Sequence, residues 1–216
     1  AEQRAGRAGR LEAGVCVRLY SESQLQQQPS VTEPEILHSD LSSLASELAQ
    51  WGAASANELH WLDLPPKVSM LQAQQLLERL GVLDSHHRLT ALGKQAQALG
   101  IEPRIGSMLS RAKTHSDELL SAAIVAAALL EEPERNITDL QHSLHRLKQG
   151  THSKQLVLTK RIAQLSKKLN GKVILSQIDE FHLPLALSVA FPDRVAQSRK
   201  IGGGKYLLAN GHGAEL

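Results

Sequence analysis

Apolar residues recur along this chain mostly at helical spacing, with two short stretches at the spacing of a strand. Leu37, Leu41, Leu44 and Leu48 form a stripe that predicts a helix ending near Gly52. A second amphipathic stretch runs from Val68 to Leu80, with Met70, Leu71, Leu76, Leu77 and Leu80 apolar and Gly81 as its stop. Ile105, Met108, Leu109 and Ala112 make a third stripe. From Glu118 to Leu130 the chain is apolar nearly all round, the mark of a helix buried by its neighbours, with Ser116 or Asp117 as N-cap. Ile137, Leu140, Leu144 and Leu147 follow, stopped by Gly150, and then Leu158, Ile162, Leu165 and Leu169. Strand-like alternation appears in Val15, Val17 and Leu19 against Cys16, Arg18 and Tyr20. Val82-Leu83-Asp84 and Arg88-Leu89-Thr90 flank Ser85-His86-His87 as a short hairpin, after which Thr90 caps another helix. Ser21 to Glu33, with its glutamines and Pro29, has no apolar period and reads as a linker.

Composition agrees with helices. Of the 216 residues 42% are hydrophobic but only 3% aromatic, so the core is built from Leu, Ala, Ile and Val. Cys16 stands alone, which excludes an internal disulfide framework. No apolar run is long enough to span a membrane and no signal peptide is visible, so the expected location is the cytoplasm. Charge is uneven: residues 30–100 hold four Lys and Arg against eight Asp and Glu, whereas residues 150–216 hold ten against four. A contact with a phosphate backbone is therefore expected in the later part.

Chemistry concentrates at the start, in Gln3-Arg4-Ala5-Gly6-Arg7-Ala8-Gly9-Arg10. In a helix turning about 100° per residue, Gln3, Arg7 and Arg10 share one narrow face. Guanidinium forks on such a face suit a triphosphate and can stabilise charge on a transferring phosphoryl group. Farther on, Lys154, Arg161 and Lys168 repeat every seven residues beside a second row of Lys160 and Lys167, a cationic face fit for nucleic acid. His142 and His145, and His86 with His87, lack the Cys or carboxylate partners of a zinc site, so no metal ligands are assigned within the chain. Ser69 to Arg79, the stretch that would read a DNA groove in a winged helix, carries a single basic residue beside one acid and three glutamines, and reads as a structural hub.

The opening run followed by Gly14-Val15-Cys16-Val17-Arg18-Leu19-Tyr20-Ser21-Glu22 resembles motif VI and the closing strand of the second RecA-like domain of DEAH-box helicases. Pro34-Glu35-Ile36-Leu37, Leu80-Gly81-Val82-Leu83-Asp84, Leu89-Thr90 and Pro103-Arg104-Ile105-Gly106-Ser107-Met108-Leu109 are similar to that family's post-motor region, in order. Trp61-Leu62-Asp63-Leu64-Pro65-Pro66, Ala190-Phe191-Pro192-Asp193-Arg194-Val195-Ala196 and Tyr206-Leu207-Leu208-Ala209-Asn210-Gly211 resemble its bacterial HrpB-type branch.

The resemblance implies a mainly α fold: residues 1–29 as the end of a RecA-like α/β domain plus linker, 30–100 a winged-helix domain, 101–190 a ratchet-like helical bundle, and 191–216 the start of a further region. It implies Arg7 and Arg10 as catalytic arginines that, with Gln3, bind ATP carried with Mg²⁺, and RNA as the partner, contacted by Lys154, Arg161 and Lys168 beside the single-strand channel. The phosphate loop and the Asp-Glu-Ala-His metal motif do not occur in these residues, so the chain reads as a C-terminal fragment that needs the rest of the motor and is inactive alone. A different class stays open: a non-enzymatic winged-helix and bundle adaptor for nucleic acid or protein, with the arginine run as a basic arm.

Overall fold

In a computed structural model, residues 2–28, 33–53, 55–199 and 203–215 are described. They form α1 (Glu2–Ala8), α2 (Glu22–Gln26), α3 (Ser42–Trp51), α4 (Lys67–Arg79), α5 (Ala91–Ala98), α6 (Pro103–His115), α7 (Asp117–Glu131), α8 (Leu140–Gln149), α9 (Gln155–Leu169) and α10 (His182–Ala190). An antiparallel meander of β1 (Ala196–Ser198), β2 (Lys205–Leu208) and β3 (Gly213–Glu215) follows, with Tyr206 opposite Ser198 and Ala214. The fold is mainly helical, as the apolar periods require.

Two apolar cores organise it. The first joins Leu41, Ala45 and Leu48 of α3 to Met70, Ala73 and Leu77 of α4 and to Leu80, Val82 and Leu83 beyond. Within this unit the order is helix, helix, bridge, helix. The expected hairpin narrows to one bridge between Leu83 and Leu89, because Asp84 turns the chain tightly by accepting the backbone N–H groups of His86 (2.8 Å) and Arg88 (2.9 Å). Thr90 caps α5 by accepting the Gly93 N–H at 2.9 Å. Leu37, read as part of the first stripe, lies in a separate 3-10 turn before α3, and Leu71 points outward from α4.

The second core is centred on α7, whose residues from Leu119 to Leu129 are all buried against α6, α8, α9 and α10. Ser116 provides its cap, accepting the Leu119 N–H at 3.1 Å. The seam of α9 is Leu158, Ile162, Leu165 and Leu169, as its spacing predicts. α6 welds the cores together: Ser107 Oγ and Arg111 Nη2 both donate to the Leu80 carbonyl, at 2.8 and 2.9 Å. At this weld Gly106 lets α6 approach α5, since a Cβ there would lie 2.9 Å from the Ala96 carbonyl oxygen.

Two expectations are overturned. Val15 to Tyr20 form no strand; Val15 and Leu19 are 87% and 95% exposed, because a strand needs a neighbour for its N–H and C=O groups and none of the described residues pairs with it. The Ser21–Glu33 linker contains α2, which opens on a reciprocal cap between Ser21 and Gln24. α10 and the meander carried no assignment from apolar spacing. Their signals are weak: α10 is nine residues with Pro184 inside, and the strands are three or four residues long.

Candidate functional site

α1 presents Gln3 and Arg7 one helical turn apart, both exposed. The helix ends at Ala8, so Arg10 stands in the bend after it and does not share by helical phase the face expected for Gln3, Arg7 and Arg10. Gly14 sets that path. It folds back against α1 so closely that a Cβ would fall 2.0 Å from the Ala8 carbonyl oxygen, a position only glycine tolerates. Among residues 2–28 none of described exposure is buried, and among the described residues no ion pair engages Arg7 or Arg10. Chemically the segment offers one amide and two unneutralised guanidiniums facing outward, a donor set that fits a polyphosphate. Among the described residues no group of three or more His, Cys, Asp or Glu is placed to hold a metal ion.

The second candidate lies on α9, where the side chains of the seven-residue row are engaged within the chain. Lys154 Nζ donates to Glu132 Oε2 at 2.9 Å. Arg161 grips Glu131 with two nitrogens, Nη2 to Oε1 at 2.6 Å, and this hydrogen-bonded carboxylate raises the arginine pKa above its ordinary value. Lys168 Nζ caps the end of α5 through the Leu99 carbonyl at 2.7 Å. Lys160 and Lys167, one position earlier in each turn, are exposed and have no ion-pair partner among the described residues. The row thus ties α9 to α7 and α5, while the adjacent row is open.

A third cluster carried no signal in the spacing. Glu134 is buried in the turn after α7 and accepts the Ser153 hydroxyl (2.8 Å) and N–H (3.1 Å). Its other oxygen is 3.2 Å from Nε2 of the buried His152, and Arg146 Nη1 approaches at 3.4 Å. Burial pushes the Glu134 carboxyl up, but the Ser153 hydrogen bonds, with His152 and Arg146 beside it, outweigh this and hold the group below its ordinary value. Burial lowers the pKa of His152, whose Nδ1 accepts the Lys154 N–H at 3.1 Å. Of the other histidines, His142 is exposed, His145 meets Gln149, and His87 sits 3.1 Å from Glu78.

Arg104, one of the residues carrying the family likeness, is buried and reaches across the fold to another. It forms a two-pronged pair with Asp193, Nη1 to Oδ1 at 2.6 Å and Nη2 to Oδ2 at 3.1 Å, and donates to the Ala190 carbonyl. The guanidiniums of Arg104 and Arg194 both lie over the Phe191 ring, at 5.2 and 4.9 Å from its centre. This knot fixes the turn from which the meander departs. Beside it, Gln72, Gln75 and Arg79 of α4 line a polar groove of about 700 Å³ together with Asn210.

No protein-family model matches the chain. It is 42% identical over 214 residues to the ATP-dependent RNA helicase HrpB of Escherichia coli K12, an alignment that covers 99% of the chain and 25% of that protein. It is 31% identical over 160 residues to the ATP-dependent RNA helicase HrpA of the same organism, covering 72% of the chain and 12% of the relative. Among solved structures, one described as the E. coli DExH-box NTPase HrpB matches with TM-score 0.74 and 40% identity, covering 100% of this chain and 25% of that one. Another, described as the Escherichia coli DEAH/RHA helicase HrpB, matches with TM-score 0.77 and 41% identity over 99% of this chain and 26% of that one. The chain spans about a quarter of the length of the HrpB protein it matches. Identity and fold therefore agree from end to end with about a quarter of the length of HrpB-type DEAH-box helicases.

Proposed function

We propose that the protein containing this segment is an ATP-dependent RNA helicase of the cytoplasm, and that the segment supplies the arginines that act on the nucleotide together with accessory domains along the RNA path. The observation that carries this reading is the 42% identity over nearly the whole chain to a protein named for that activity. Residues 1–29 serve as the end of the motor, 30–100 as a winged-helix hub, 101–190 as the bundle beside the RNA, and 191–216 as the start of a further region. The two cores, one from α3 to α5 and one from α6 to α10, support that division.

ATP, carried with Mg²⁺ held elsewhere in the protein, would bring a triphosphate against α1. Arg7 and Arg10 bind and offset charge on the transferring phosphoryl group; Gln3 holds an oxygen or orients the attacking water. The exposure of α1 and its unneutralised guanidiniums support these roles, because a charge already paired within the chain would have to be released first. For RNA, Lys154, Arg161 and Lys168 lie on the proposed face, with Lys160 and Lys167 as its open edge. Rates of ATP hydrolysis by the intact protein, with and without single-stranded RNA, test this reading. It requires turnover that RNA accelerates; an intact protein that binds RNA but never hydrolyses ATP would support the adaptor class instead.

A further inference from the structure

α7 ends in Glu131 and is followed by Glu132, although a helix C-terminus already carries partial negative charge and favours cations. Lys154, at the N-cap of α9, is likewise at the end where a cation is disfavoured. The two helices run antiparallel: Gly171, just past the end of α9, abuts Leu120 and Ile124 near the start of α7, whereas Lys154 and Arg161 meet the end of α7. Each misplaced charge is therefore offset by the other helix. Both pairs are partly exposed, with side chains between 29% and 39% accessible, so water and an incoming anion reach them. So placed, the Lys154–Glu132 pair is weak and exchangeable, while the two-pronged Arg161–Glu131 pair is the firmer of the two.

We infer that Glu131 and Glu132 are an internal brake on polyanion binding, specificity-determining residues that occupy Lys154 and Arg161 until nucleic-acid phosphates displace them. The inference rests on the reading of α9 as an RNA-facing helix. RNA first meets Lys160 and Lys167, which are exposed and bear no carboxylate, and then reaches the paired row only by exchanging a carboxylate for a phosphate on each cation. A short or weakly held polyanion gains the first contacts alone; a strand held along several turns gains both. Glu134 takes no part, because its carboxylate is buried and committed to Ser153.

The test is carried out on the intact protein without nucleotide, using a labelled oligouridine across a salt series. E131Q/E132Q keeps the shape of both side chains and removes their charge. The expected result is binding about three- to tenfold tighter, with a log–log salt slope steeper by about 1.4, since two more cations, at about 0.7 each on a single strand, now neutralise phosphates. K154Q/R161Q weakens binding little in the wild-type background and clearly in the E131Q/E132Q background. K160Q/K167Q weakens it in both. Unchanged affinity in E131Q/E132Q, together with full loss from K154Q/R161Q alone, overturns the brake and leaves the RNA-facing helix standing. If every variant binds as the wild type does, the RNA reading of α9 falls and the brake with it. A lowered melting temperature in E131Q/E132Q with no gain in affinity also overturns it, because the pairs are then structural only.

Discussion

Arg104 is 7% exposed and charged, a combination that is stable only because Asp193 takes both ends of its fork and the Ala190 carbonyl takes a third hydrogen bond. The same hydrogen bond from Arg104 is the main reason the Asp193 carboxyl sits below its ordinary range. Arg104→Ala leaves the carboxylate without its partner, and a loss of about 3 kcal/mol in a denaturant titration is expected. Arg104→Met combined with Asp193→Asn leaves neither charge alone and costs less than the single change. His152 and Glu134 make a second residue-scale prediction. Since both folded pKa values lie below the ordinary 6.5 and 4.5, each group adds stability above its unfolded value and loses it as pH falls toward the folded one. The melting temperature therefore declines in two steps on acidification, one starting near pH 6.5 and one below pH 4.5. His152→Gln removes the first step; a profile that keeps it would assign that step to another group.

At the scale of elements, period and caps explain what was legible. α4, α6, α7, α8 and α9 follow stripes written in Leu, Ile and Met, and Ser116 and Thr90 cap where their hydroxyls stand at the right offset. The seven-residue row on α9 was legible as a row but not in its use, since its partners Glu131, Glu132 and the Leu99 carbonyl are brought in by α7 and α5, up to 69 residues away. Arg104 and Asp193 stood in the sequence 89 residues apart with no pattern to join them. Val15–Tyr20 had the alternation of a strand but lacks a pairing partner among the described residues, so local preference alone did not make one. The weld between α5 and α6 yields a prediction where two effects compete. Gly106→Ala gains up to about 1 kcal/mol in helix propensity, yet its methyl would meet the Ala96 carbonyl at 2.9 Å and force a shift costing about 1–3 kcal/mol. Overpacking wins, so the variant should unfold at lower denaturant, and a more stable variant would show that α6 slides freely on α5.

Across the whole molecule, parts with different burial have different tasks. Two packed cores and the Arg104–Asp193 knot hold a rigid body from α3 to the meander, while α1 and the segment after it bury nothing and expose Val15, Val17 and Leu19. A segment with that composition and that exposure is made to be completed by other surfaces, and on the proposed reading those belong to the nucleotide-holding motor. Among the described residues no helix is long and apolar enough to cross a membrane. On the proposed reading, Arg7 of α1 and Arg10 just after it act on the transferring phosphoryl group. ATP turnover and nucleotide affinity of the intact protein carrying Arg7→Ala test it most directly. Turnover lower by about 10³ with affinity changed far less is the predicted result; turnover equal to that of the unaltered protein would contradict it.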